Sequence, residues 1–180
     1  MIKDDKNLHT LILLCGKPAS GKTTLRNKIV DRYKDITYLS CDEEMLEKYG
    51  EIKDSDEFAT KLNLTKDRLY NKAKKLLNNN TNVVLDFGFW YREERAYLRE
   101  YFKDYNCAFI YLNVDNITLL NNMNSRNKNL KQNEYFMDEA TLQILASKFE
   151  DFSESEEHID YSCDKQVFCM LDTILVKNRP

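Results

Sequence analysis

The chain is short of the residues that bend, cross-link or chelate: its 180 residues hold four glycines, two prolines and two histidines. Scarce histidine and five scattered cysteines (Cys15, Cys41, Cys107, Cys163, Cys169) argue against a structural zinc site. An odd number of unclustered thiols suits a reducing compartment, so a cytoplasmic protein is expected. No apolar run approaches the roughly 20 residues that span a bilayer, and Asp4 and Asp5 break the pattern of a signal peptide. Basic excess is lacking too. A net charge of −3 supplies no long-range attraction to nucleic acid or to an anionic membrane, so neither is expected as a partner. Repeats are absent. What is present, 42% hydrophobic and 32% charged residues, fits one soluble globular domain spanning 1–180.

The few glycines are concentrated. Gly16-Lys17-Pro18-Ala19-Ser20-Gly21-Lys22-Thr23 takes two of them and the only proline away from the terminus. It fits the phosphate-binding pattern G-x-x-x-x-G-K-[ST] at every fixed position. A chance match is expected on the order of once in a thousand sequences of this composition. Ahead lies the apolar run Leu11 to Cys15, read as a buried parallel strand. Behind lies a helix over 23–33, with Leu25, Ile29 and Val30 on one face. Strand, glycine loop and helix N-terminus converge backbone N–H groups on an anion. The expected nucleotide contacts are Gly16 to Thr23, with Thr24. Lys22 brings a mobile charge to the β- and γ-phosphates, and the Thr23 hydroxyl can ligate Mg²⁺.

Apolar and helical segments then alternate, as in a doubly wound α/β domain. Strands are expected at 36–40, 83–86 and 107–112, and helices at 43–49, 55–79, 92–103, 115–126 and 137–149. The polar, basic stretch 127–134 has no apolar period and reads as a loop. The acidic stretch 150–157 reads as exposed, and 166–170, extending toward 176, as a last strand.

Ligands in open α/β sheets sit beyond the carboxyl ends of the strands, where the loop after Cys15, Asp42 and Asp86 all fall. Asp86, after Val83-Val84-Leu85, reads as a metal-holding acid. Asp42 reads in two ways, as a base for an acceptor hydroxyl or as a helix cap, with Ser40 the rival cap. Arg126 is either a phosphate contact or a surface cation near a helix end. Arg92, Arg95 and Arg99 follow helical spacing with Glu93, Glu94 and Glu100, which reads as solvated pairing; Arg92, nearest the strand end, is the candidate acceptor contact. Phe87, Phe89, Trp90 and Tyr91 read as core or as an aromatic wall, with Phe89 and Trp90 the candidate substrate contacts. Cys41 has no evident base beside it and reads as inert.

The set Gly16 to Thr23, Ser40-Cys41-Asp42, Leu85-Asp86-Phe87-Gly88-Phe89-Trp90, Arg92-Glu93-Glu94-Arg95 and Arg126-Asn127 resembles the small P-loop kinases. That group includes chloramphenicol phosphotransferase, zeta toxin and the polynucleotide 5′-kinase domain, and the resemblance is strongest to a bacterial branch of ATP-binding kinases. It covers about residues 9–157 and implies a five-stranded parallel sheet in 2-3-1-4-5 order. It also implies Asp42 as catalytic base, Asp86 as the strand-three acid, and Arg126 as a phosphate contact at a lid over about 126–136. Relatives often carry a second lid arginine, where this chain has Lys128 and Lys131. The segment 158–180 has no recognised counterpart. The expected activity is transfer of the γ-phosphoryl group of Mg·ATP to a hydroxyl of a small molecule, with Lys22, Asp42 and Arg126 catalytic and Thr23 and Asp86 at the metal. A nucleic-acid 5′-end kinase and a nucleotide-binding regulatory or toxin-like module with little turnover are the rival readings.

Overall fold

A computed structural model describes residues 9–130 and 136–176. β1 (Thr10–Cys15) leads through the phosphate-pattern loop into α1 (Lys22–Arg32). Then follow β2 (Ile36–Ser40), α2 (Cys41–Tyr49), α3 (Ser55–Asn78), β3 (Asn82–Gly88), α4 (Arg92–Tyr101) and β4 (Asn106–Tyr111). α5 (Asn116–Lys128), α6 (Glu139–Ser147), β5 (Ile159–Asp160) and α7 (Asp164–Val176) complete the order. The sheet runs β2-β3-β1-β4-β5 with every pairing parallel. This is the P-loop α/β fold expected from the motif.

Strand periodicity divides the core. Leu11, Leu13 and Cys15 of β1 face one way, packing with Leu39, Val83 and Leu85 against Met45, Leu69, Ala73 and Leu98 of α2, α3 and α4 and Phe102 just beyond α4. Ile12 and Leu14 face the other way, onto Leu25 and Ile29 of α1 and Val167, Leu171 and Leu175 of α7. All six β1 residues are buried, as a central parallel strand requires. A third cluster of Leu119, Met123 and Leu142, with Ala19 against it, joins α5 and α6 to the phosphate loop.

Two expectations are corrected. The segment 166–170 is helical: Val167, Leu171 and Leu175 recur every fourth residue, and α7 lays that stripe on the sheet. The fifth strand is instead the two-residue β5. The arginines of α4 are not a solvated surface ladder, while the 150–157 stretch is largely exposed, as expected, and also pairs with that helix. Arg95 is fully buried, and its Nε and Nη2 meet Glu156 Oε1 and Oε2 at 2.9 and 3.0 Å. Arg92 donates to the Asp151 carbonyl at 3.2 and 3.1 Å, and Arg99 donates to that of Glu157. The acidic stretch is thus a strap laid over the start of α4.

Candidate active site

The loop between β1 and α1 is held open by backbone geometry. Gly16 has φ +150°, and a Cβ there would lie 2.8 Å from both the Leu112 carbonyl oxygen and Ser20 Oγ. Gly21, at φ +97°, occupies the N-cap of α1 without a side-chain cap, leaving the first-turn N–H groups for an anion. Gly16 N–H donates to the Gly88 carbonyl at 3.1 Å, and Asn122 of α5 donates to the Ala19 carbonyl at 2.8 Å. Ala19 itself adopts φ +61°. Lys22 folds back inside this ring, its Nζ 3.0 Å from the Gly16 carbonyl, 2.8 Å from that of Lys17 and 3.4 Å from Ser20 Oγ. Burial draws its pKa down, against the opposing charges of Asp86 and Asp42. Lys17, Pro18 and Ala19 are half-buried at the loop surface, Ser20 is buried, and Thr23 and Thr24 are exposed on the first turn of α1.

Asp86 lies two residues before the end of β3, almost fully buried, with Oδ2 accepting from Thr23 Oγ1 at 3.0 Å and from Arg26 at 3.3 Å. Arg26, buried on α1, also meets Glu43 at 2.7 Å and stacks over Tyr38 at 4.1 Å. Sequence reasoning missed Arg26, although its i+4 spacing from Lys22 sets it on the same helical face. Thr23 and Asp86 present two hard oxygen donors facing the loop, a set that suits Mg²⁺ completed by phosphates and water. Among the described residues no cluster of three or more His, Cys, Asp or Glu side chains forms an all-protein metal site.

Ser40, not Asp42, caps α2: its Oγ accepts from Glu43 N–H at 3.4 Å. Asp42 lies inside the first turn and is solvent-exposed. Desolvation by the surrounding protein and the neighbouring Asp86 push its carboxyl above the ordinary range, while Lys22, Arg126 and Lys66 pull it down. Arg126, half-buried in the last turn of α5, acts electrostatically on both Asp42 and Lys22. One neighbourhood therefore holds Lys22, Thr23, Asp42, Asp86 and Arg126. Cys41 is buried, its thiol pushed up to about 12, and is inert as expected. Of the expected lid, 126–128 close α5 and 131–135 lie outside the described residues.

The aromatic stretch after Asp86 divides. Phe89 was expected as an acceptor contact but is fully buried, stacked 5.5 Å from Phe87 in the core, so it presents no surface to a ligand. It holds φ +48°, a strained value for a bulky residue, at the turn that follows Gly88. Trp90 stays half-exposed beside Gly88. Arg92 is committed to Asp151 and stands 3.8 Å from Glu156, which turns it from the cleft to the strap. A cavity of about 360 Å³ between α5 and α6 reaches Lys17, but none of Lys22, Thr23, Asp42 and Asp86 lines it.

A family model described as an AAA domain matches residues 11–152. The chain belongs to that family, as a P-loop kinase-like member. Among curated proteins none matches the sequence significantly. Solved structures share the fold at low identity. Kti12 from Chaetomium thermophilum, solved with ADP-AlF3, superposes at TM-score 0.68 and 15% identity, covering 94% of this chain and 100% of that one. A gluconokinase from Sinorhizobium meliloti gives 0.59 and 18%, with 96% and 91% covered. A chain of the Pnkp1/Rnl/Hen1 RNA repair complex gives 0.68 and 15%, covering 82% of this chain. Against that last relative the chain spans only 46% of the partner's length. No helix of the described residues is long and apolar enough to cross a membrane.

Proposed function

We propose that the chain is a phosphotransferase that moves the γ-phosphoryl group of Mg·ATP to a hydroxyl of a small molecule. The observation that carries this reading is the convergence of Lys22, Asp42, Asp86 and Arg126 at the carboxyl ends of the strands. The loop N–H groups bind the phosphates, and Lys22 leaves the Gly16 and Lys17 carbonyls to reach them. Thr23 and Asp86 would hold Mg²⁺, which would supply charge neutralisation for the triphosphate. Arg26 keeps the Asp86 carboxylate fixed from the α1 side. Asp42 accepts the hydroxyl proton as that oxygen bonds to the γ-phosphorus. The bond from phosphorus to the β,γ-bridging oxygen breaks, ADP departs, and the product is a phosphate ester. Arg126 spreads the charge that develops on the transferring group.

Lys22→Ala tests the phosphate half. The lysine has no role in either large core cluster. Calorimetry is expected to show Mg·ATP affinity down by roughly 10²-fold or more, with transfer abolished and the melting temperature retained. Undiminished Mg·ATP binding by this variant would mean that the loop does not hold triphosphate.

A further inference from the structure

Between α3 and α4, beside the Asp42 end of the cleft, lies a polar cluster that the phosphate chemistry does not use. Lys66 of α3 is ion-paired to Glu94 of α4, their side chains 21% and 16% exposed. Tyr70 donates its hydroxyl to the same Glu94 Oε1 at 3.1 Å. Among the described residues Glu94 Oε2 accepts no hydrogen bond, and Lys66 Nζ, which carries three donors, makes only the one. Donor and acceptor capacity thus remain side by side on two partly exposed groups. Phe87, next to Asp86, is half-buried and stacks 5.6 Å from Tyr70 at 26°. It offers an apolar ring directly beside the polar pair. Tyr70 and Phe87 pack in the same cluster as Cys41, the residue before Asp42, which sets the polar group at the acid end of the cleft.

A hydroxyl both donates and accepts, so adjacent hydroxyls match a lysine–carboxylate pair in which each partner has spare capacity. The local charge selects further. Five acids, Asp42, Glu43, Glu44, Asp86 and Glu94, stand with three cations, and all three are already engaged: Arg26 with Glu43 and Asp86, Lys66 with Glu94, and Arg68 with Glu44. With Lys22 and Arg126 engaged by triphosphate, an anionic acceptor would meet net repulsion. We propose that Lys66, Glu94 and Tyr70, with Phe87 as platform, form the acceptor subsite, and that its ligand is an uncharged compound with vicinal hydroxyls, such as a neutral sugar or polyol. This rests on the phosphotransferase reading.

The test compares matched acceptors that differ in charge. ADP release by the purified chain with Mg·ATP is measured with D-glucose, D-glucitol, D-ribose and ribitol. The counterparts are D-gluconate, D-ribonate and an oligonucleotide bearing a 5′-hydroxyl. At least one neutral compound is expected to stimulate release at least tenfold more than its acid counterpart. Lys66→Met and Glu94→Gln, singly and combined, are then expected to raise KM for that compound tenfold or more. Expected alongside are kcat within about threefold and Mg·ATP Kd unchanged. The combined variant leaves no unpaired charge, whereas each single variant strands one partner, so the combined variant keeps the test independent of a folding defect. Preference for gluconate, ribonate or the oligonucleotide overturns the proposal, as does an unchanged KM in the combined variant. Mg·ATP binding with no stimulation by any neutral compound also overturns it, leaving the nucleotide site standing. Failure to bind Mg·ATP at all instead removes the phosphotransferase reading beneath it.

Discussion

At the proposed phosphate end of the cleft most of the groups come from one unbroken stretch, residues 16–23, joined by Asp86 and Arg126. At the proposed acceptor end they come singly from separated segments: Asp42 from α2, Lys66 and Tyr70 from α3, Phe87 from β3 and Glu94 from α4. A phosphate site built largely from backbone depends on φ angles at a few glycines and on few side chains, here Lys22 above all. A side-chain site depends on how helices pack. Its stability therefore resides in long-range fasteners, above all the strap of residues 150–157 on α4.

The largest effect on that contrast is expected at the fastener. Arg95 joins Glu156 in a two-pronged pair and also donates to the Phe89 and Trp90 carbonyls at 3.1 and 3.2 Å, so it ties the strained turn after Asp86 to the strap. Arg95→Met strands those acceptors and is expected to lower stability by about 3 kcal/mol in urea denaturation at pH 7. The pH dependence has a definite sign. Hydrogen bonds from Arg95 hold the Glu156 carboxyl below its ordinary value of 4.5. Its stabilisation is therefore present above the unfolded value and is lost as pH falls through the folded one. The gap between wild type and Arg95→Met is expected to narrow on acidification; a gap that stays constant from pH 7 to pH 3 would deny the pair its role.

A smaller effect is expected where the two ends meet. Gly88 has φ +87°, and a Cβ there would lie 2.6 Å from the Trp90 indole nitrogen, while its carbonyl accepts from Gly16 N–H. Gly88→Ala is expected to lose about 1–3 kcal/mol and to weaken Mg·ATP binding a few-fold, because the β3 turn and the phosphate loop share that bond. A thermal melt beside nucleotide titration checks both, and a loss of stability with no change in nucleotide affinity would separate the two ends.

How far each end was readable follows from the same contrast. The phosphate loop, the parallel strands and the placing of Asp42 and Asp86 were legible because each is a local pattern ending at one level of the sheet. Arg95 was not, since its partner lies 61 residues away and its helical spacing imitates an exposed ladder. Phe89 looked like a ligand wall because an aromatic beside an acid has the same sequence signature whether its ring turns inward or outward. α7 was taken for a strand because Val167, Phe168 and Met170 sit close together, whereas its burial follows the fourfold recurrence of Val167, Leu171 and Leu175. The two-residue β5 carries too little pattern to be seen at all.

The central claim is that Asp42 is the base at the acceptor end, since Ser40 already serves as the cap of α2. Asp42→Asn keeps the shape and one acceptor oxygen but cannot take a proton. The measurement is kcat beside Mg·ATP Kd and melting temperature on the same purified variant, with the acceptor found by the matched-pair screen. The expected result is a loss of roughly 10²-fold or more in kcat, with Kd within about threefold. The melting temperature should be equal or slightly raised at neutral pH, because a carboxylate disfavoured by desolvation and by Asp86 has been removed. A variant that retains wild-type kcat would contradict the account.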